Sequence, residues 1–184
     1  MKNIVFAAFM VLAASLFPGG GARAAGPEDT LYLDLKDGRV VIELYPEIAP
    51  KHVERIKTLA RRGFYNGVVF HRVIDGFMAQ TGDPTGTGMG GSDLPDLKAE
   101  FTKTRHVRGT LSMARSSDPD SANSQFFICF TAAPFLDGQY TAFGRVTSGM
   151  EFVDAIKRGD EANNGQVTDP DKIVRMQVAA DVKE

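Results

Sequence analysis

The sequence predicts a mainly β domain, either a sandwich or a barrel, with one helix near each end. Three patterns support this prediction. Apolar and polar residues alternate through "TLYLDLKDGRVVIELYP" near the start, short apolar runs fill residues 68–146, and two segments outside that stretch have apolar residues at helical spacing. Many short strands divided by turn residues are typical of sandwiches and barrels.

The first two strands are predicted to form a β-hairpin. Asp37-Gly38 is a favoured two-residue turn, and period-2 alternation runs on both sides of it. The apolar positions are Leu31, Leu33, Leu35, Val40, Ile42 and Leu44.

Two segments have the spacing of amphipathic helices. "APKHVERIKTLARRGFY" has Pro50 near its start and Gly63 as a stop, and "SGMEFVDAIKRG" is closed by Gly159. The apolar face of the first helix consists of Val53, Ile56, Leu59 and Ala60.

The central strands are predicted from short runs, because Gly, Pro, Asp and Ser clusters separate them. These runs are "VVFHRVI", "FMAQTG", "GTLSMA", "SQFFICF" and "TAFGRV". After a polar loop, "KIVRMQV" is predicted to be the last strand.

The N-terminal segment predicts a secretory signal peptide over residues 1–24. A short basic start is followed by an apolar run from Ile4 to Phe17, which is shorter than the ~20 residues that span a bilayer. Ala22-Arg23-Ala24 fits the small-x-small rule for cleavage. We therefore expect one domain over residues 25–184, in the periplasm or secreted, with no stable membrane anchor.

Charge and cysteine content exclude some classes of function. Without Lys2 and Arg23, 19 of the 21 basic residues remain against 23 acidic residues, a net charge of −4 that argues against nucleic acid as a partner. The one cysteine, Cys129, has no partner for an intramolecular disulfide and lies among bulky apolar residues. We expect a buried, inert thiol there.

Several local motifs do not predict chemistry. Residues 86–91 match GxGxxG, but the following "SDLPDLKAE" has no apolar helical face, so a glycine-rich loop is predicted instead of a dinucleotide site. "DPDSANS" has Ala122 and Asn123 where a calcium loop needs a ligand and a glycine. The three histidines lack metal-ligand spacing, and no serine-nucleophile motif occurs. We expect no metal and no cofactor.

Three longer motifs resemble the core of the cyclophilins, which are peptidyl-prolyl cis-trans isomerases. They are "FHRVIDGFMAQTGDPTGTGMGG", "GTLSMARSSDPDSANSQFFICF" and "FLDGQYTAFGRVTSGM", and the similarity runs from about Thr30 to Val178. The resemblance implies a closed eight-stranded antiparallel barrel capped by two α-helices. It also implies an isomerase that assists the folding of exported proteins, with proline-containing peptides and unfolded exported proteins as partners. We expect a monomer.

The resemblance implies that Arg72 is the catalytic residue. It places substrate-binding residues at Phe77, Met78, Gln80, Gly88, Ala114, Arg115, Gln125, Phe127, Phe135, Leu136 and Tyr140. Four positions depart from the family pattern. Phe135 stands where many members have tryptophan, Tyr140 where many have histidine, Arg115 replaces asparagine and Ser116 replaces alanine. Phe135 resembles the exported bacterial branch.

The chemistry of proline isomerisation fits these residues. Partial double-bond character gives the amide a rotation barrier of ~18–20 kcal/mol, yet no bond has to break, so no nucleophile is needed. A fixed guanidinium can donate to the prolyl nitrogen once the amide twists. Two alternatives remain: a holdase that grips proline segments without turnover, and a structural envelope domain that does not need Arg72. The aromatic residues, taken singly, are also compatible with barrel core.

Overall fold

The computed structural model describes residues 25–183 and shows a mainly β fold with two α-helices. The predicted signal peptide lies outside the described residues. The strands are Thr30–Leu35 (β1), Gly38–Leu44 (β2), Arg72–Ile74 (β3), Met78–Thr81 (β4), Thr110–Met113 (β5), Phe126–Cys129 (β6), Ala142–Ser148 (β7) and Arg175–Val178 (β8). The helices are Pro50–Arg61 (α1) and Met150–Asp154 (α2). No helix within residues 25–183 is long and apolar enough to cross a bilayer.

All eight strands join one antiparallel sheet in the order β3-β4-β6-β5-β7-β2-β1-β8. The sheet curls into a half-barrel. The predicted closed barrel is wrong, because β3 and β8 are the two ends of the sheet and no ladder joins them in the described part of the chain.

An irregular segment, residues 165–173, lies where a closing ladder would be. It bonds to the chain around β3: Val73 N–H donates to the Gly165 carbonyl at 2.7 Å, and Phe70 N–H donates to the Asp171 carbonyl at 2.8 Å. The segment contains Pro170, which has no N–H, and Asp169, whose φ is 53°. Neither residue fits a regular ladder. The β3 edge of the sheet is therefore covered by individual hydrogen bonds and isolated β-bridges.

The N-terminal hairpin is confirmed, with a shift of one residue at its turn. Lys36 and Asp37 form the turn, and Gly38 already begins β2 opposite Leu35. The glycine is needed for packing as well, since a Cβ there would overlap the Phe152 ring of α2. The contact between β2 and α2 therefore depends on the missing side chain at residue 38.

Helix α1 is confirmed, and the predicted apolar face, Val53, Ile56, Leu59 and Ala60, is buried. The second helix is shorter than predicted, because it ends at Asp154 instead of continuing to Gly159. Beyond it, the Lys157 N–H donates to the Asp171 carboxylate at 2.8 Å and the Gly159 N–H donates to the Val73 carbonyl at 2.9 Å. These tertiary bonds take the place of helical ones.

Strand alternation divides the buried apolar residues into two clusters. In β6, Phe126 and Ile128 point into the main core inside the curled sheet, whereas Phe127 and Cys129 belong to a smaller cluster on the other face. Both faces of β6 are covered, which explains its unbroken apolar run. The smaller cluster contains Met78, Phe127, Cys129, Ala133 and Leu136, and it forms the floor of the candidate site.

Candidate active site

Three neighbouring strands place the centre of the site in one row. The register pairs Arg72 of β3 with Gln80 of β4, and Gln80 with Phe127 of β6. Side chains opposite one another in antiparallel strands lie on the same face, with Cβ atoms about 4.5–5.5 Å apart. Val73, next to Arg72, points into the main core instead. The sheet therefore turns a guanidinium, an amide and a phenyl ring toward the same side.

An apolar depression of about 410 Å³ opens over this row. The predicted residues that line it are Arg72, Phe77, Met78, Gln80, Ala114, Arg115, Phe127, Phe135, Leu136 and Tyr140. Gln139, which the sequence analysis did not select, lines it as well. Met78, Phe127 and Leu136 are buried at its floor, whereas Phe135 is 62% exposed at its rim and packs against Phe77 with ring centroids 5.4 Å apart.

A polar depression of about 590 Å³ adjoins the apolar one. Gln80, Ala114 and Arg115 line both, and the remaining predicted residues, Gly88 and Gln125, line the polar one. The structure thus brings all the predicted site residues together along one groove. Their roles in binding and catalysis stay predictions.

The Arg72 guanidinium is held by three hydrogen bonds to neutral acceptors. Its Nη1 donates to Gln80 Oε1 at 3.1 Å, its Nε to the Asn164 carbonyl at 3.0 Å and its Nη2 to Asn164 Oδ1 at 2.9 Å. Asn164 has a left-handed backbone (φ 52°), in which its carbonyl and its side chain both reach the guanidinium. Burial lowers the pKa of Arg72.

Asn164 is a site residue that sequence reasoning missed. It lies 92 residues from Arg72 along the chain, in the loop that follows the short 3₁₀ helix Glu161–Asn163. The available signal was Asn164-Gly165, a turn dipeptide. That signal predicts a loop but cannot indicate which side chain the loop reaches.

A chain of hydrogen bonds through two glutamine side chains connects Arg72 with the polar depression. Gln80 Nε2 donates to Gln125 Oε1 at 2.9 Å, and Gln125 Nε2 donates to the carbonyls of Gly88 at 3.0 Å and Gly90 at 2.8 Å. Each glutamine accepts a hydrogen bond through its oxygen on one side and donates through its nitrogen on the other, so their orientations are mutually fixed. These hydrogen bonds therefore fix the position of Arg72 relative to the glycine loop.

The glycine loop of residues 83–91 is organised around the carboxylate of Asp83. Four backbone N–H groups donate to it, at 2.8 Å from Thr85, 3.1 Å from Thr87, 2.6 Å from Gly88 and 3.1 Å from Gly90. The Thr85 and Thr87 hydroxyls contact it too. Burial alone would raise the pKa of Asp83, but these donors outweigh it and lower the pKa to about 2. The predicted loop is confirmed, and it forms a wall of the polar depression.

The floor of the apolar depression is supported by a second missed residue, His106. Its ring stacks on Phe127 with centroids 6.4 Å apart, and its nitrogens contact Asp137 Oδ1 at 2.9 Å and Ser112 Oγ at 2.9 Å. Ser112 and His106 are both buried. The hydrogen bonds of His106 with Asp137 and Ser112 therefore fix the ring that supports Phe127.

Comparison with known proteins identifies the family. The model of the cyclophilin type peptidyl-prolyl cis-trans isomerase/CLD family matches residues 30–178. The chain is a cyclophilin. A probable peptidyl-prolyl cis-trans isomerase of Brucella suis biovar 1 is 58% identical over 173 residues, which cover 88% of each chain. A peptidyl-prolyl cis-trans isomerase-like 1 protein of Aspergillus fumigatus is 44% identical over 82% of this chain and 96% of its own.

Solved cyclophilin structures share the fold. Cyclophilin AquaCyp293 from Hirschia baltica superposes with a TM-score of 0.77 at 29% identity, over 88% of this chain and 77% of its own. A Cryptosporidium parvum cyclophilin crystallised in the presence of the dipeptide Ala-Pro gives a TM-score of 0.74 at 30% identity, over 81% and 98%. This cyclophilin accordingly has peptidyl-prolyl cis-trans isomerase activity.

Cys129 is the one cysteine of this cyclophilin. Cys129 is buried under the apolar depression, and burial raises the pKa of its thiol to about 12. At neutral pH the thiol is protonated, and a protonated thiol is a poor nucleophile. The predicted burial of the cysteine is confirmed, and the raised pKa fits an inert thiol.

Proposed function

We propose that Arg72 is the catalytic group of this isomerase and that the enzyme assists the folding of exported proteins. The observation that carries the first part is the hydrogen-bonding state of Arg72. A guanidinium has five N–H donors, and three of those on Arg72 meet neutral acceptors within the protein. In the described part of the chain, one donor on Nη1 and one on Nη2 have no partner and are left for a substrate.

Those two donors suit the transition state of proline isomerisation. In the planar amide, the nitrogen lone pair is delocalised and accepts no hydrogen bond. When the amide twists, conjugation is lost and the nitrogen becomes an amine-like acceptor. A guanidinium fixed beforehand then gains a bond that the ground state cannot make, which lowers the barrier.

The apolar depression next to Arg72 suits the pyrrolidine ring. Phe77, Met78, Phe127 and Leu136 offer an apolar surface, and a ring bound there would exclude water from the prolyl amide. Without water, the competing hydrogen bonds that favour the planar amide are weakened. Because Met78 and Phe127 belong to a packed cluster, the pocket is largely preformed.

The polar depression suits the residues that precede proline. It offers backbone carbonyls, Gln125 and Arg115, and it begins where the apolar depression ends. An extended peptide with its proline ring over Phe127 would run into it. Gln80, which lines both depressions, is placed to hold a substrate carbonyl as well as Arg72.

The export role rests on the sequence of residues 1–24. The basic start, the apolar run and Ala22-Arg23-Ala24 have the order of a secretory signal. We expect the full chain, expressed in a bacterium with two membranes, to be recovered from the periplasm beginning at Ala25. Mass spectrometry of that fraction tests this, and Ala24→Glu should block cleavage. Recovery of uncleaved wild type from the cytoplasm alone would contradict export.

The test of the enzyme uses the chain from Ala25 onward and a proline tetrapeptide. Arg72→Ala should lower kcat/KM by ~10²–10³, the cost of removing one preorganised donor. Its unfolding midpoint should stay close to that of the wild type, because the lost bonds lie at the edge of the sheet. Near-wild-type activity of the variant would overturn the role of Arg72. A wild type that binds the peptide without accelerating it would favour the holdase.

A further inference from the structure

Arg115 lies at the junction of the two depressions and lines both of them. Its backbone follows β5, and its neighbour Ala114 donates its N–H to the Gln125 carbonyl at 2.9 Å. The side chain is partly buried along the groove. A peptide bound along the groove would pass this guanidinium where it leaves the proline pocket.

The protein holds the Arg115 guanidinium firmly but leaves part of it free. Nε and Nη2 donate to the Gln139 carbonyl at 3.3 Å and 3.0 Å, and Nη1 donates to the Ser116 carbonyl at 2.9 Å. The guanidinium carbon lies 4.3 Å from the centre of the Tyr140 ring, a cation–π contact. One N–H on each terminal nitrogen keeps no partner within residues 25–183.

The positive charge in the groove is not neutralised. Neither Arg72 nor Arg115 forms an ion pair with a carboxylate in the described residues, since the acceptors of both are amide or backbone oxygens. Asp96 is the one acidic residue among those that line the polar depression, and its carboxylate already accepts from Asn123 Nδ2 at 2.9 Å. The centre of the groove therefore carries two cations in a chain whose net charge is −2.

We propose that Arg115 is a specificity residue that favours substrates with a carboxylate side chain on the residue immediately before proline. This rests on the proposed function, because it takes the proline ring to lie in the apolar depression beside Arg72. The preceding residue then occupies the junction, within reach of the two free donors of Arg115. A carboxylate accepts such a pair of N–H groups side by side. Tyr140 sets the guanidinium plane for that contact.

The experiment compares acetyl-Ala-X-Pro-Phe amides in which X is Glu, Gln or Lys, in an assay without a coupling protease. The acetyl cap removes the terminal amine and the C-terminal amide removes the terminal carboxylate, so the side chain of X is the only charge that varies. For the wild type we expect kcat/KM to be about fivefold higher for Glu than for Gln, and lower for Lys than for Gln, as for a partly desolvated ion pair. The Glu/Gln ratio should fall toward one between about 20 mM and about 500 mM salt, because ions screen the pair.

Two variants assign the preference to Arg115. Arg115→Met should bring the Glu/Gln ratio to about one, while Arg115→Lys, which keeps the charge, should retain a ratio above one. A wild-type ratio of one, or a fivefold ratio that survives in Arg115→Met or in high salt, overturns the inference. If Arg115→Met does not fold, the Lys variant and the salt series decide. If no peptide is isomerised faster than in buffer, the proposed function itself fails.

Discussion

Asp83 and Arg72 both carry a charge that is at least partly buried, but the two charges differ in their exposure and in their hydrogen-bond partners. The Asp83 carboxylate is 0% exposed and receives four backbone N–H groups, all from its own loop. The Arg72 guanidinium is only partly buried. Within residues 25–183 it meets three neutral acceptors and keeps two N–H donors without a partner. Arg72 begins β3, whereas Asp83 follows the end of β4.

The difference is the one expected between a structural charge and a charge that acts on a ligand. A buried charge with every position occupied stabilises the chain around it and offers nothing to a ligand. A fixed charge with spare donors carries a cost that a substrate can offset at the transition state. By this criterion Asp83 stabilises the wall of the groove, whereas Arg72 and Arg115 offer N–H donors to a ligand in the groove.

The largest effect on stability is expected for Asp83→Asn. The amide is the same size, but it replaces one acceptor oxygen with an NH₂ group that faces backbone donors. We expect the free energy of unfolding to fall by about 3 kcal/mol, as for a broken buried charge network. Urea unfolding measures this. Asp118→Asn, at an exposed aspartate in a neighbouring loop, is the control and should cost less than about 0.5 kcal/mol. Equal losses in both variants would show that the buried Asp83 carboxylate stabilises the fold no more than an exposed one does.

A second, smaller effect is expected at low pH. The pKa of Asp83 is lowered from 3.8 to about 2 in the folded protein, so its ionised form stabilises the fold fully above about pH 4. That contribution, about 2 kcal/mol, is lost as the pH falls through about 2. The stability difference between wild type and Asp83→Asn should therefore shrink from about 3 kcal/mol at pH 7 to about 1 kcal/mol near pH 2. A difference independent of pH would show that the charge is not the cause.

The smallest effect concerns the positioning of Arg72. Asn164→Gly keeps the left-handed backbone and the carbonyl acceptor but removes Oδ1, one of the three acceptors. We expect kcat to fall about fivefold with KM nearly unchanged, because a looser guanidinium loses transition-state contact more than substrate binding. Asn163→Gly adds a glycine at the adjacent position, the last residue of the 3₁₀ helix, whose side chain donates to Gln166 and not to Arg72. This control should leave kcat within twofold. Equal kcat values for the two variants would show that Asn164 does not position Arg72.

Local pattern was sufficient for much of the fold. The hairpin, α1 and the short central strands follow from periods of 2.0 and 3.6 residues, which depend only on backbone geometry. The second helix and the closed barrel could not be predicted correctly in this way. Helix α2 ends early because Lys157 and Gly159 bond to Asp171 and Val73, which are distant in sequence. The sheet stays open because residues 165–173 cover the edge of β3.

In the candidate site, too, some features could be predicted from the sequence and others only from the structure. The motifs identified most of the residues that line the apolar depression, because the resemblance carries their order along the chain. The structure added Asn164, His106 and the bonding of Asp83, each of which acts through a contact that only folding creates.

The sequence by itself determined the strands, the first helix, the family and most residues of the apolar depression, since each depends on residue type and local order. Only the tertiary structure decided which donors remain free. Whether Arg72 and Arg115 keep unused N–H groups depends on acceptors up to 92 residues away. No local pattern specifies how many bonds a side chain will make, because that number is set by the neighbours that packing brings to it.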